Sequence, residues 1–81
     1  MFTKGVIGNV NIDTINTFMW ARIEGGTATS LATLPFGEVW FILIHIPINT
    51  DNAIQIAINQ NATANKIRTK WDGFFYPWNT L

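Results

Sequence analysis

Apolar and polar positions alternate with a period of two over 53–60 and 66–71 of this 81-residue chain, and no window carries a helical stripe of useful length. The pattern therefore predicts strands throughout. The first expected strand runs from Thr17 to Glu24. Gly25-Gly26 follows as a turn, where two residues without a Cβ permit tight backbone, and then a loop over 27–37 that carries Pro35. From Glu38 to Ile46, Trp40, Ile42, Ile44 and Ile46 share one face while Val39, Phe41, Leu43 and His45 share the other. Both faces are apolar, the pattern of a central strand covered on both sides. Pro47 ends that strand, and Asn49-Thr50-Asp51-Asn52 is a cluster of turn formers. Ala53 to Gln60 alternates again, with Ile54, Ile56 and Ile58 expected inward and Gln55, Ala57 and Asn59 outward. After a turn over 61–65, Lys66, Arg68 and Lys70 fall on one face of the next strand and Ile67, Thr69 and Trp71 on the other. Asp72-Gly73 reads as a two-residue hairpin turn. The closing strand, Phe74 to Leu81, contains Pro77, which cannot donate to a ladder, so it is expected at an edge or with a bulge.

These segments predict an all-β fold, a small antiparallel sheet or sandwich knob of about five strands. Neither a repeat nor a domain boundary interrupts it, so residues 1–81 are expected to form one domain. The expected strands match the composition: twelve Ile, ten Thr and three Val favour pleated, half-buried surfaces.

Composition changes the picture in one respect. A domain of this size buries only about 60% of the surface that its unfolded chain exposes, yet 48% of the residues are hydrophobic and only 12% charged. Without cysteines there are no disulfides, and one histidine without a thiol cannot close a structural zinc site. Stability is expected instead from a core rich in large side chains and from burial against copies of the same chain. The remaining polar surface falls to nine Asn and ten Thr. A formal net charge of zero supplies no long-range field for a nucleic-acid backbone. The longest apolar run, Val39 to Ile48, is broken by His45 and Pro47 and falls well short of the ~20 residues of a membrane-crossing helix. Met1 to Gly5 lacks the features of a secretory signal. A soluble protein is expected, with neither nucleic acid nor membrane insertion among its interactions.

The inventory for catalysis is thin. It comprises Ser30, His45 and the carboxylates Asp13, Glu24, Glu38, Asp51 and Asp72. Ser30 has no glycine elbow, His45 sits mid-run in the most apolar segment as a core or inter-subunit histidine does, and Asp51 and Asp72 fall in turns. No spacing suggests a metal site or a pair of glycosidase carboxylates. The chain is expected to be no enzyme, with no catalytic residue, metal or cofactor. Two clusters remain. Lys66, Arg68 and Lys70 form a basic stripe that either meets an anionic sugar or lipopolysaccharide phosphate, or is a solvated face that discourages edge pairing. Trp71, Phe74, Phe75, Tyr76 and Trp78 form an aromatic cluster that serves core, subunit interface or sugar stacking.

The C-terminal half adds a resemblance. Gln55 in a strand, Lys66-Ile67-Arg68-Thr69 in the next, a glycine turn, and Phe75-Tyr76-Pro77-Trp78-Asn79-Thr80-Leu81 at the close resemble the ending of the knob domains of phage tail fibres and pyocins. Asn11-Ile12-Asp13-Thr14-Ile15 resembles that family's opening stretch, and Leu34-Pro35 its loop before the central strand. Phe75 stands where the family usually has Trp, and Met19-Trp20 where it usually has glycine before an aromatic residue. The resemblance implies a homotrimeric domain at or near a fibre tip, in a virion tail or capsid fibre, for attachment to host-surface polysaccharide or lipopolysaccharide and for fibre assembly. The alternative is a purely structural trimerisation or capping module without a ligand. A further expectation under the resemblance is that the chain is the C-terminal fragment of a longer fibre protein. Lys66, Arg68, Lys70 and Tyr76 are the candidate ligand-binding residues, and Gln55, Trp71, Phe75 and Trp78 the candidate core or interface anchors.

Overall fold

Hydrogen bonding joins seven strands into one sheet in a computed structural model that describes residues 3–8, 11–24, 34–36, 40–59 and 63–81, with the backbone alone for 3–8. In chain order they are β1 (Thr3–Gly8), β2 (Met19–Glu24), β3 (Trp40–Pro47), β4 (Ala53–Asn59), β5 (Asn65–Trp71), β6 (Phe74–Phe75) and β7 (Asn79–Thr80). The order across the sheet is β1-β2-β3-β4-β5-β6, and β7 also pairs with β5. The fold is all-β, as expected. The sequence pattern did not reveal β1, which lies parallel to β2, whereas every other pair is antiparallel. The expected turn at Gly25-Gly26, most of the 27–37 loop and the start of the strand at Glu38-Val39 lie outside the described residues.

Polar side chains close the turns. Asn49 Oδ1 accepts from the amides of Asp51 and Asn52, both at 2.9 Å, which bends the chain between β3 and β4. Asn59 Oδ1 accepts from the amides of Thr63 (2.8 Å) and Ala64 (3.2 Å) between β4 and β5. At Asp72-Gly73 both residues have positive φ, 53° and 88°, the tight primed turn expected of that dipeptide. This hairpin is tied to its neighbour, since Asn52 Oδ1 accepts from Asp72 N and the Asp51 carbonyl from Gly73 N, each at 2.9 Å.

Pro77 splits the closing strand as its missing N–H demands. Lys70 pairs with Phe75, but Ile67 pairs with Asn79, so three steps along β5 face four along the closing segment. Tyr76 N still reaches Thr69 O at 2.8 Å before the chain bulges past Pro77 and rejoins β5 as β7.

Among the described residues, packed segments cover one face of this sheet and not the other. Met19, Ala21 and Ile23 of β2, Phe41 and Leu43 of β3, and Ala57 of β4 form the core. It is roofed by Ile12 from a single 3₁₀ turn (Ile12–Thr14), by Leu34, and by the partly buried Ile15, Phe36 and Trp78. Phe36 meets Phe41 edge-on with centroids 6.5 Å apart.

This arrangement corrects two expectations. In β4 the buried residues are Ala53, Gln55 and Ala57, and Ile54, Ile56 and Ile58 lie on the other face, half-buried. The small alanines leave room for the segments folded over them, and the Gln55 amide is fully bonded beneath, so the polar residue faces in. In β3 only the Phe41, Leu43 and His45 face is sealed; Trp40 remains 42% exposed and Ile42 36%. The central strand is apolar on both faces but covered on one.

Candidate functional site

Cross-strand register sets three polar side chains in a row on the covered face. His45 of β3 lies opposite Gln55 of β4, and Gln55 lies opposite Arg68 of β5. All three are buried. Above them, Asn11 caps the 3₁₀ turn: its Oδ1 accepts from Asp13 N at 2.9 Å, and its carbonyl accepts from the Thr14 amide and hydroxyl. That cap aims the Ile12 carbonyl and the Asp13 carboxylate down at the row.

The hydrogen bonds assign one another. Arg68 Nε donates to Gln55 Oε1 at 2.9 Å, so the Gln55 nitrogen faces the other way, donating to the Ile12 carbonyl at 2.8 Å. The same nitrogen lies 3.1 Å from His45 Nδ1. With only donors on Gln55 Nε2, His45 Nδ1 must accept, which makes the imidazole neutral with its proton on Nε2. Burial lowers the His45 pKa below its ordinary 6.5, and the charges of Lys70 and Arg68 push in the same direction. Arg68 Nη2 completes the row with a 2.6 Å ion pair to Asp13 Oδ1. Burial works to lower the Arg68 pKa and the Asp13 bond opposes it; a guanidinium stays protonated throughout.

Two aromatic rings close over the guanidinium. Arg68 Cζ lies 3.8 Å from the Phe75 centroid and 4.7 Å from that of Trp78. The one-residue bulge at Pro77 brings both rings from one short segment onto the same cation. Lys70 Nζ lies 5.7 Å from the Phe75 centroid, and Lys66 Nζ 5.4 Å from that of Phe36. Beside this cluster opens a groove of about 370 Å³ lined by Leu34, Pro35, Lys66, Arg68, Tyr76 and Trp78, among others. Of the four candidate ligand residues, Lys66, Arg68 and Tyr76 line this groove, while Lys70 sits with His45 and Asn49 around a separate small depression. Of the four candidate anchors, Gln55 is in the core, Phe75 and Trp78 are half-buried against Arg68, and Trp71 is 55% exposed on the opposite face.

The basic stripe is therefore no solvated face at its centre. Sequence reasoning grouped Gln55, Arg68 and Trp78 through resemblance alone; the structure places them in contact. It did not single out Asp13 as the partner of Arg68. The signal was the Asn11-x-Asp13 spacing, an asparagine whose side chain bonds the backbone two residues on.

On the uncovered face, Trp20 (47% exposed), Trp40, Ile42, Ile44, Ile46, Ile54, Ile56, Ile58 and Ile67 make a continuous apolar surface across β2 to β5. Its charges on β2 are Arg22 and Glu24, paired at 3.1 Å, with Arg22 also 5.1 Å from the Trp40 ring centroid.

No protein-family model and no curated protein matches the chain. Among solved structures, the R1 pyocin fibre of P. aeruginosa, a fragment comprising its C-terminal residues 323–701, superposes on all of this chain with a TM-score of 0.76 and 26% identity. The chain is similar to a pyocin-fibre domain. It spans 22% of the length of that fibre fragment. In this pyocin-fibre-like fold the residues that carried the resemblance, Gln55, Arg68, Phe75 and Trp78, form one packed cluster. Phe75, where the knob domains that this chain resembles usually carry Trp, places its ring over Arg68.

Proposed function

We propose that the chain is a non-enzymatic domain of a virion fibre, which assembles with two copies of itself through its uncovered sheet face and presents its other side to host-surface polysaccharide. The observation that carries this reading is the apolar face, in a chain whose whole length matches part of a pyocin fibre. Four strands spaced about 4.8 Å apart, each of about seven residues at ~3.3 Å, span roughly 400 Å². A contiguous apolar surface of that size falls among the largest apolar patches of ordinary monomers, about 300–600 Å², which often serve a function. Its rim tryptophans are the residue type that dominates interface energies, and the mutually paired Arg22 and Glu24 bring no net charge to a meeting of like surfaces. Light scattering is expected to give three times the mass of one chain. A stable monomer at micromolar concentration refutes assembly.

The purely structural reading, a trimerisation or capping module without a ligand, is favoured by a different observation. Gln55 and most of Arg68 are consumed in internal bonds, and Trp78 packs on the core. A screen against host-cell polysaccharides separates the two: binding supports attachment and its absence leaves the capping module. Turnover of any polysaccharide refutes the non-enzymatic reading.

A further inference from the structure

Arg68 is 2% exposed, yet its hydrogen bonds are incomplete. Nε goes to Gln55 and Nη2 to Asp13, while Nη1 finds no acceptor among the described residues. Among the described residues no sealed side-chain nitrogen or oxygen is left unpartnered, so Nη1 is not sealed, and Arg68 lines the 370 Å³ groove. An almost fully buried guanidinium thus offers one free donor edge at the floor of a concave site. Lys66, on the same groove, makes no ion pair among the described residues. Since Asp13 balances Arg68, Lys66 is the lining cation left without an ion pair among the described residues, beside the Arg68 donors. Its walls are aromatic, with Tyr76 57% exposed and Trp78 half-buried. Aromatic faces bind the C–H faces of sugar rings, and a cation beside a fixed guanidinium edge binds carboxylate or phosphate. The volume lies within the range of small-molecule sites.

We propose that this groove binds a sugar residue carrying a carboxylate or phosphate, the ring against Tyr76 and Trp78 and the anion between Lys66 Nζ and Arg68 Nη1. The proposal rests on the attachment reading and names its ligand class. Pre-organisation is the physical advantage: Gln55, Asp13, Phe75 and Trp78 already hold the guanidinium, so little freedom is lost on binding.

The test uses the assembled protein, titrated with glucuronic acid, glucose 6-phosphate, glucose and inorganic phosphate, and followed by NMR at the Trp78 indole and Arg68 Nε. Either anionic sugar is expected to bind and shift both signals, with glucose and inorganic phosphate at least about tenfold weaker. A preference for the uronate points to acidic polysaccharide and a preference for the phosphate to phosphorylated lipopolysaccharide; both support the site. Lys66→Gln and Tyr76→Ala, at positions outside the core, are each expected to weaken binding about tenfold with the melting temperature retained. Equal binding of glucose, equal binding of inorganic phosphate, or variants that bind like the parent overturn the proposal. If the parent and Lys66→Gln bind host polysaccharide equally, the groove falls and attachment stands. If the parent binds the anionic sugars but no host polysaccharide, attachment falls and the groove stands.

Discussion

At the scale of the residue, Arg68 decides the most. Asp13→Ala leaves a buried guanidinium without its counter-charge, and removing one member of a buried pair typically costs about 3–5 kcal/mol. Arg68→Lys keeps the charge but has no planar fork to reach Gln55 and Asp13 together. Both variants are expected to melt well below the parent in denaturant or heat; an unchanged Arg68→Lys protein would assign the fork no role. Trp78→Ala removes a half-buried ring that also covers the cation, with an expected loss of about 2–3 kcal/mol by chemical denaturation. His45 gives the row a pH dependence. Its folded-state pKa is depressed, so as pH falls below 6.5 the unfolded chain takes up a proton that the folded chain refuses. Stability from this group is whole above 6.5 and declines from there down to the folded pKa. An NMR titration of the His45 ring in the folded protein should show its midpoint below 6.5, and the melting temperature should fall between pH 7.5 and 5.5. These partners were only half legible in sequence: Gln55 and Arg68 stood out as motif positions, but a polar residue on an alternating strand reads as outward unless its bonding partners are known, and those came from β3 and the 3₁₀ turn.

At the scale of the element, local chemistry was legible wherever one residue type enforces one conformation. Asp72-Gly73 predicted its hairpin, Pro77 the break in the closing segment, and Asn49 to Asn52 the turn that they form. Gly73 at φ +88° has open space where a Cβ would stand, so Gly73→Ala is strained by backbone conformation alone. It should cost roughly 1 kcal/mol or more, read as a lowered denaturation midpoint with β5 to β6 pairing retained. What stayed hidden was β1. Thr3 to Gly8 has two glycines in six residues and no clean alternation, and its pairing is parallel to β2, so it depends on a partner rather than on its own pattern. The orientation of β4 was hidden for a related reason: Ile54, Ile56 and Ile58 are the more apolar set, but two alanines and a bonded glutamine suit the closer packing under the roof. Hydrophobicity marked the strand; size and bonding chose the side.

For the whole molecule, the low charge content and the two-sided apolarity of β3 were the visible signs that the sheet has more apolar surface than its own segments cover. Ile42→Lys sets a like charge on each copy at the centre of the proposed shared face. It is expected to yield monomers by light scattering while a change in the far-ultraviolet spectrum is absent; retained trimers would move the interface elsewhere. The Asp13 to Arg68 bond, which joins positions 55 apart in the chain, also bears on how the protein is made. During synthesis the 3₁₀ turn emerges long before β5 and the rings that follow, so Asp13 has no Arg68 to bond, and the roof lacks Trp78, until translation has passed them. Folding of such long-range contacts is slow, and apolar strands wait uncovered meanwhile. The nascent domain is thus exposed to mispairing on the ribosome, and its yield in a cell should depend on chaperone supply and temperature more steeply than the stability of the finished fold does.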